Sequence, residues 1–205
     1  MKIKIAIVGI GNCASSLVQG LEYYKKNHEN VIGVMNQTIA GYSIRDIEVV
    51  AAFDVNNTKV GKDLSAAIYA PPNNTKKFFK VSKTGVTVQN VPVFDGIGKY
   101  LTDIIHPSTL QLVDPKKILE KSGAQILVSY LPVGSQKATE YWARICLETK
   151  VAFINCIPVF IASDKKWAQE FKDESVPIIG DDIKSQVGAT ILHRTLTNLF
   201  LDRGM

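Results

Sequence analysis

Residues 5–14 read Ile-Ala-Ile-Val-Gly-Ile-Gly-Asn-Cys-Ala. An apolar run of strand length meets two glycines, and a small residue follows three positions after the second. No other stretch limits the possible folds so strongly. Gly9 permits a tight turn out of a strand. Gly11 lets backbone approach a phosphate with no Cβ in the way. Ala14 allows close packing of helix on strand. The helix that follows presents free N–H groups and partial positive charge to an anion. A lone G-x-G-x-x-A is weak evidence, but directly after a strand and opening a helix it points to a dinucleotide site. A Gly-rich turn in an α/β protein without nucleotide is the competing reading.

Such a turn is ordinarily followed, about 20 positions on, by an acid at the end of a second strand. That window here holds Met35, Asn36 and Gln37. Residues 27–46 are rich in Asn, Gly and Ser and break any period, so they read as an inserted loop. Beyond them Ile47–Phe53 is an apolar, β-branched run, which suits a buried strand, and Asp54 stands at its end. Removing the 20-residue insert restores the usual spacing. An acid there accepts hydrogen bonds from ribose hydroxyls and repels a 2′-phosphate, so the pattern favours NAD over NADP. A helix cap or turn is the plainer role for Asp54.

The rest of the chain alternates strand-like and helix-like segments. Strands are predicted at Ile3–Val8, Ile47–Phe53, Val86–Val88, Gln125–Ser129, Val151–Asn155 and Val176–Ile179. Helices are predicted from Asn12 to about Tyr24, over Asn57–Ala70 and Gly96–Ile105, from Asp114-Pro115 to Ser122, and over Gln136–Glu148, Asp164–Asp173 and Gln186–Leu201. About six strands with helices between them imply one α/β domain: a Rossmann-type, doubly wound, mostly parallel sheet with helices on both faces.

Composition excludes several classes. Three cysteines, Cys13, Cys146 and Cys156, are odd in number and lack C-x-x-C spacing, which favours reduced thiols in the cytoplasm over disulfides or a zinc site. His28, His106 and His193 stand far apart, and no metal or nucleophile constellation surrounds them, so no metal is expected. The net charge is +5, but the basic residues are scattered pairs with no aromatic interleaving, so no nucleic-acid partner is expected. No membrane span or signal peptide is visible.

A second charged cluster, Gly180-Asp181-Asp182-Ile183-Lys184-Ser185, follows a strand and precedes a helix. It therefore falls at the carboxyl edge of the sheet, where open α/β sheets bind ligands. Ser185 suits a helix cap. The paired carboxylates suit a cation, a nicotinamide amide or a lysine to be oriented; a solvated capping turn is the plainer reading.

The segments VGIGNCASSLVQGLEYY, VVAAFDVNNTKVGKDLS, VSYLPVGSQ, NCIPVFIAS and GDDIKSQVGAT, in this order, resemble the inositol-3-phosphate synthases (myo-inositol-1-phosphate synthases) of prokaryotic and archaeal type, essentially end to end. The resemblance implies an isomerase. Bound NAD oxidises C5 of glucose 6-phosphate, enolisation and aldol closure follow, and the hydride is returned. It implies that Gly9, Gly11, Asn12, Cys13 and Ala14 surround the pyrophosphate and Asp54 the adenosine ribose. Ser129, Leu131 and Pro132 line the cofactor, with the Asn74 loop near it. Asp182 and Ser185 face the nicotinamide end, and Lys184 is a candidate for phosphate or nicotinamide contacts. Family members continue well past the position of Met205, with catalytic lysines and a sheet-rich domain that binds substrate and builds a homotetramer. The catalytic residues are thus expected outside these 205 positions, and homo-oligomers only with the full chain. The alternatives are a non-catalytic NAD-binding module and a different NAD-dependent oxidoreductase.

Overall fold

The computed structural model describes residues 2–27, 33–183 and 188–205. The chain runs β1 (Ile3–Val8), α1 (Asn12–Lys26), a hairpin β2 (Thr38–Ile39) and β3 (Tyr42–Ser43), then β4 (Ile47–Asp54), α2 (Leu64–Ala67), β5 (Val88–Asn90) and α3 (Gly98–Leu101). It continues through α4 (Pro115–Ser122), β6 (Ile126–Ser129), α5 (Gln136–Thr149), β7 (Ala152–Asn155), α6 (Lys165–Asp173), β8 (Ile178–Ile179) and α7 (Ala189–Asp202). Six strands form one sheet in the order β5-β4-β1-β6-β7-β8, every pair parallel. This is the doubly wound order, and it reverses between β1 and β6, where such sheets open a crevice at their carboxyl edge.

Strand alternation explains the two cores. Ile5 and Ile7 point to one face with Val18, Leu64 and Ile68, from the α1 and α2 side. Ala6 and Val8 point to the other with Phe53, Leu127, Trp142, Phe153 and Phe171, from the α4, α5 and α6 side. Both faces are covered, so the inner parts of β1 (Ile5–Val8) and β4 (Val49–Phe53) read as apolar runs. The α4 signals act as expected: Asp114 accepts from the Lys116 N–H, Pro115 opens the helix, and Gly123 closes it at φ +66°.

Several expectations are corrected. Residues 33–46 are not plain loop. Ala40 and Gly41, at φ +50° and +83°, make a two-residue turn joining β2 to β3. The helix expected over Asn57–Ala70 shrinks to Leu64–Ala67, because Gly61 at φ +81° breaks the path and Asp63 caps a new start at the Ser65 N–H. The third strand slides to Val88–Asn90, in register with Ala52–Asp54. The helix expected over Gly96–Ile105 is one turn, Gly98–Leu101. Gln186 and Val187 of the expected last helix lie outside the described residues; its described part begins at Ala189, after an extended Gly188, and none of its residues is buried. Its Leu192, Leu196, Leu199 and Phe200 are each about half exposed.

Candidate functional site

The turn between β1 and α1 sits at the reversal of strand order. Gly9, at φ +83°, donates to the Phe53 carbonyl at 2.9 Å. A Cβ on Gly9 would lie 2.5 Å from the Tyr130 carbonyl oxygen, so this glycine is required by a close approach of β1 to the strand end of β6. Gly11 is different. It is the N-cap of α1, has an ordinary φ of −87°, and a Cβ there would meet nothing within 4 Å. No side chain caps α1, and its first turn carries no acid. The free N–H groups of α1 therefore face an open cradle, an arrangement suited to an anion.

Asp54, at the end of β4, reaches this turn. One carboxylate oxygen accepts from the Ile10 N–H at 2.7 Å; the other accepts from the Val55 and Asn56 N–H groups at 2.8 Å each. The residue is 9% exposed and lines a cavity of about 220 Å³ with Asn56, Lys59, Asn73, Phe94 and Trp142 among its walls. The wall is largely apolar, with polar groups gathered at one corner. Burial pushes the Lys59 ammonium below the usual lysine range, against the pull of the Asp54 carboxylate.

The segment after α2 is strapped along α1. The Asn12 side-chain oxygen accepts from the Asn74 N–H, the Thr75 N–H and the Thr75 hydroxyl. One and two turns further along the helix, Gln19 donates to Ser15 and to the Lys76 carbonyl and accepts from the Phe78 and Phe79 N–H groups. Polar side chains of α1 thus replace a neighbouring strand as partners for this backbone, and they hold it beside the open N-terminus of α1.

The candidate residues separate on this geometry. Gly9, Gly11, Asn12, Asp54, Leu131 and Pro132 line the cavity. Cys13 lines a groove on the other side of the α1 N-terminus, with Tyr130 and Ile183. Ala14 is fully buried, against the sheet, and sets the helix–strand distance. Ser129, at the end of β6, is fully buried, and its hydroxyl has no hydrogen-bond partner among the described residues. Asn74 takes part through its backbone; the side chain that reaches the cavity is that of Asn73. Lys184 and Ser185 lie outside the described residues.

No family model matches the chain. Its relatives are more informative. It is 54% identical over its whole length to an inositol-3-phosphate synthase of Mycolicibacterium smegmatis and 53% identical to that of Mycobacterium tuberculosis H37Rv. Over 99% of its length it is 48% identical to that of Corynebacterium glutamicum. Over its whole length it matches part of the inositol-3-phosphate synthases. The chain spans 56–57% of the length of these relatives. Among solved structures, it superposes over its whole length on 61% of Ari2, with a TM-score of 0.85 and 32% identity. A myo-inositol-1-phosphate synthase-related protein from Thermotoga maritima (TM-score 0.76, 20% identity) shares the fold, with the whole of this chain matching 60% of that one.

In this synthase homologue the acidic pair of the second cluster is divided. Asp181 is spent on structure. Its carboxylate accepts from Asn155, from the Ile161, Ala162 and Ser163 N–H groups and from the Ser163 hydroxyl, and so holds the turn after β7. Of the pair weighed for a cation, a nicotinamide amide or a lysine, only Asp182 is left uncommitted to this turn. Asp182, at φ +75°, accepts from the Ile183 N–H and is exposed. It is near enough to matter at Cys156, whose thiol is pushed up to about 11 by burial first, then by Cys13 and Asp182. Cys13 and Asp182 thus both lie within electrostatic reach of Cys156. Among the described residues, no group of three or more His, Cys, Asp or Glu is placed to hold a metal ion.

Lys59, Asn56, Asn73 and Gln19 were missed in the sequence. Nothing in the spacing of Asn56, Asn73 and Gln19 marks them, and Lys59 stands out only as a cation five residues after the strand-end acid.

Proposed function

We propose that this chain binds NAD and supplies the cofactor-binding part of an inositol-3-phosphate synthase, which converts glucose 6-phosphate to myo-inositol 3-phosphate. One observation carries the reading: an uncapped α1 N-terminus, open at Gly11, lies beside a strand-end acid at the reversal of the sheet. The names of the relatives supply the reaction. The cavity is smaller than the ~300–1,000 Å³ of whole small-molecule sites. It suits the adenosine end, with the pyrophosphate crossing the open cradle.

When bound, NAD supplies a reversible hydride acceptor. The chain's own residues do the binding. The α1 N–H groups take the pyrophosphate, and Asp54 takes ribose hydroxyls with the acceptor capacity left after its three backbone contacts. Leu131 and Pro132 wall the cavity. Asp182 and Ser185 are assigned to the nicotinamide end, and Lys184 to phosphate or nicotinamide contacts. The negative Asp54 disfavours a 2′-phosphate, so NADP binds more weakly. Among the titratable groups lining the cavity, Asp54 and Lys59 face each other and Tyr130 is held neutral by burial. With the Asp54 and Lys59 charges committed to each other, NAD affinity without turnover is the reading for the 205 residues alone. A cytoplasmic setting, a phosphorylated sugar substrate and homo-oligomers of the full-length enzyme complete the reading.

Calorimetric titration with NAD and NADP tests it. Saturable NAD binding, with NADP weaker, is expected; no heat at millimolar NAD would overturn the cofactor assignment. For the reaction, deuterium at C5 of glucose 6-phosphate should be retained through turnover once the rest of the enzyme is present. Net accumulation of NADH would count against it.

A further inference from the structure

The residue between the two glycines of the turn is held at both of its backbone groups. Ile10 donates its N–H to Asp54 Oδ2 at 2.7 Å, and its carbonyl accepts from Asn73 Nδ2 at 3.0 Å. Those two side chains converge on one cation. Lys59 Nζ lies 3.0 Å from Asn73 Oδ1 and 4.0 Å from Asp54 Oδ2. Ile10, Asp54, Lys59 and Asn73 therefore close a ring of polar contacts around the phosphate turn. Asn73 is further tied to the Ile68 carbonyl at 3.0 Å, which anchors the ring to the end of α2.

Lys59 is 4% exposed. A buried ammonium is costly unless paired, and removing it leaves the buried Asp54 carboxylate without a cation. Glycines on both sides give the Ile10 peptide planes unusual freedom. Polar contacts must supply the restraint that side-chain sterics supply elsewhere. Resting on the NAD reading above, we infer that Lys59 is a positioning residue for the phosphate turn. It acts through Asp54 and Asn73 to fix Ile10, and it raises cofactor affinity by preorganisation rather than by touching the cofactor.

The test combines amide exchange and calorimetry on the 205-residue protein, well below its melting temperature. In Lys59→Met the Ile10 amide should exchange at least roughly tenfold faster, and NAD should bind roughly tenfold more weakly, about 1.4 kcal/mol. Asn73→Ala breaks the same ring. The double variant should therefore lose little more NAD affinity than the weaker-binding single variant, rather than the product of the two losses. Lys59→Gln serves if Lys59→Met does not fold. Unchanged Ile10 exchange overturns the inference even if NAD affinity falls, because Lys59 would then act on the cofactor directly. Additive losses in the double variant overturn it too. Wild-type protein that shows no NAD binding overturns the cofactor reading instead, while the exchange measurement still judges the ring.

Discussion

Replacing Gly9 by alanine tests the turn where two strands come closest. The new Cβ would sit 2.5 Å from the Tyr130 carbonyl oxygen, 2.8 Å from its carbon and 3.1 Å from the Leu131 nitrogen. That is about 1 Å inside the ~3.5 Å at which nonbonded heavy atoms rest. All three atoms are backbone. They cannot swing aside, because the Tyr130 N–H is bonded to the Val8 carbonyl at 2.9 Å. Overpacking of this kind costs about 1–3 kcal/mol. The φ of +83° adds about 1–2 kcal/mol for an L-residue with a Cβ. Together Gly9→Ala should lose about 2–5 kcal/mol, and at roughly 2–4 °C per kcal/mol for this chain length the melting temperature should fall by at least about 4 °C. Gly11→Ala is the internal control, since its Cβ meets nothing within 4 Å and its φ is ordinary. It should cost less than about 1 kcal/mol of stability while weakening NAD, because the methyl group fills the cradle. Thermal unfolding by circular dichroism and NAD calorimetry on both variants separate the two roles. Equal melting temperatures for Gly9→Ala and wild type would refute the close-approach argument.

Asp54→Asn should lower stability by about 1–3 kcal/mol, because an amide group turns a donor toward one of three buried N–H groups; it should also weaken NAD, and unchanged values in both measurements would remove Asp54 from the site. Cys13 is exposed whereas Cys146 is buried, so a thiol reagent should label Cys13 first and Cys146 only on unfolding. NAD should slow labelling of Cys13, and equal rates with and without NAD would place the pyrophosphate elsewhere. Burial works to raise the Asp181 carboxyl, but donors from Ser163, Asn155 and Ala162 outweigh it and hold it below the usual range. A lowered folded value contributes stability above the unfolded value of about 3.9, lost as pH falls through the folded one. Acid melting curves below about pH 4 should therefore be shallower for Asp181→Asn than for wild type, and parallel curves would contradict this. The exposed Leu192, Leu196, Leu199 and Phe200 face of α7 should drive self-association, and a clean monomer in light scattering would rule that out.

The sequence alone determined the sheet and the turn. Runs such as Ile5–Val8 and Val49–Phe53 are apolar on both faces of a parallel sheet, and the Gly9–Gly11 spacing follows from local backbone geometry. Asp54 was reachable too, because a strand end can be counted to once residues 27–46 are set aside. Capping signals at Asp114, Pro115 and Gly123 are local and were legible for the same reason. What lay beyond local information needed the tertiary structure. Gly9 and Gly11 look alike as letters, yet one is forced by the approach of Tyr130 and the other borders open space. Asp181 and Asp182 are adjacent, yet a turn 20 residues earlier in the chain claims the first. The ring through Lys59 and Asn73 joins residues up to 63 positions apart. Hydrogen bonds of a buried polar group depend on which segments the fold brings within about 3 Å. Side-chain identity at one position records that a partner is needed, and only the packed chain decides which one it finds.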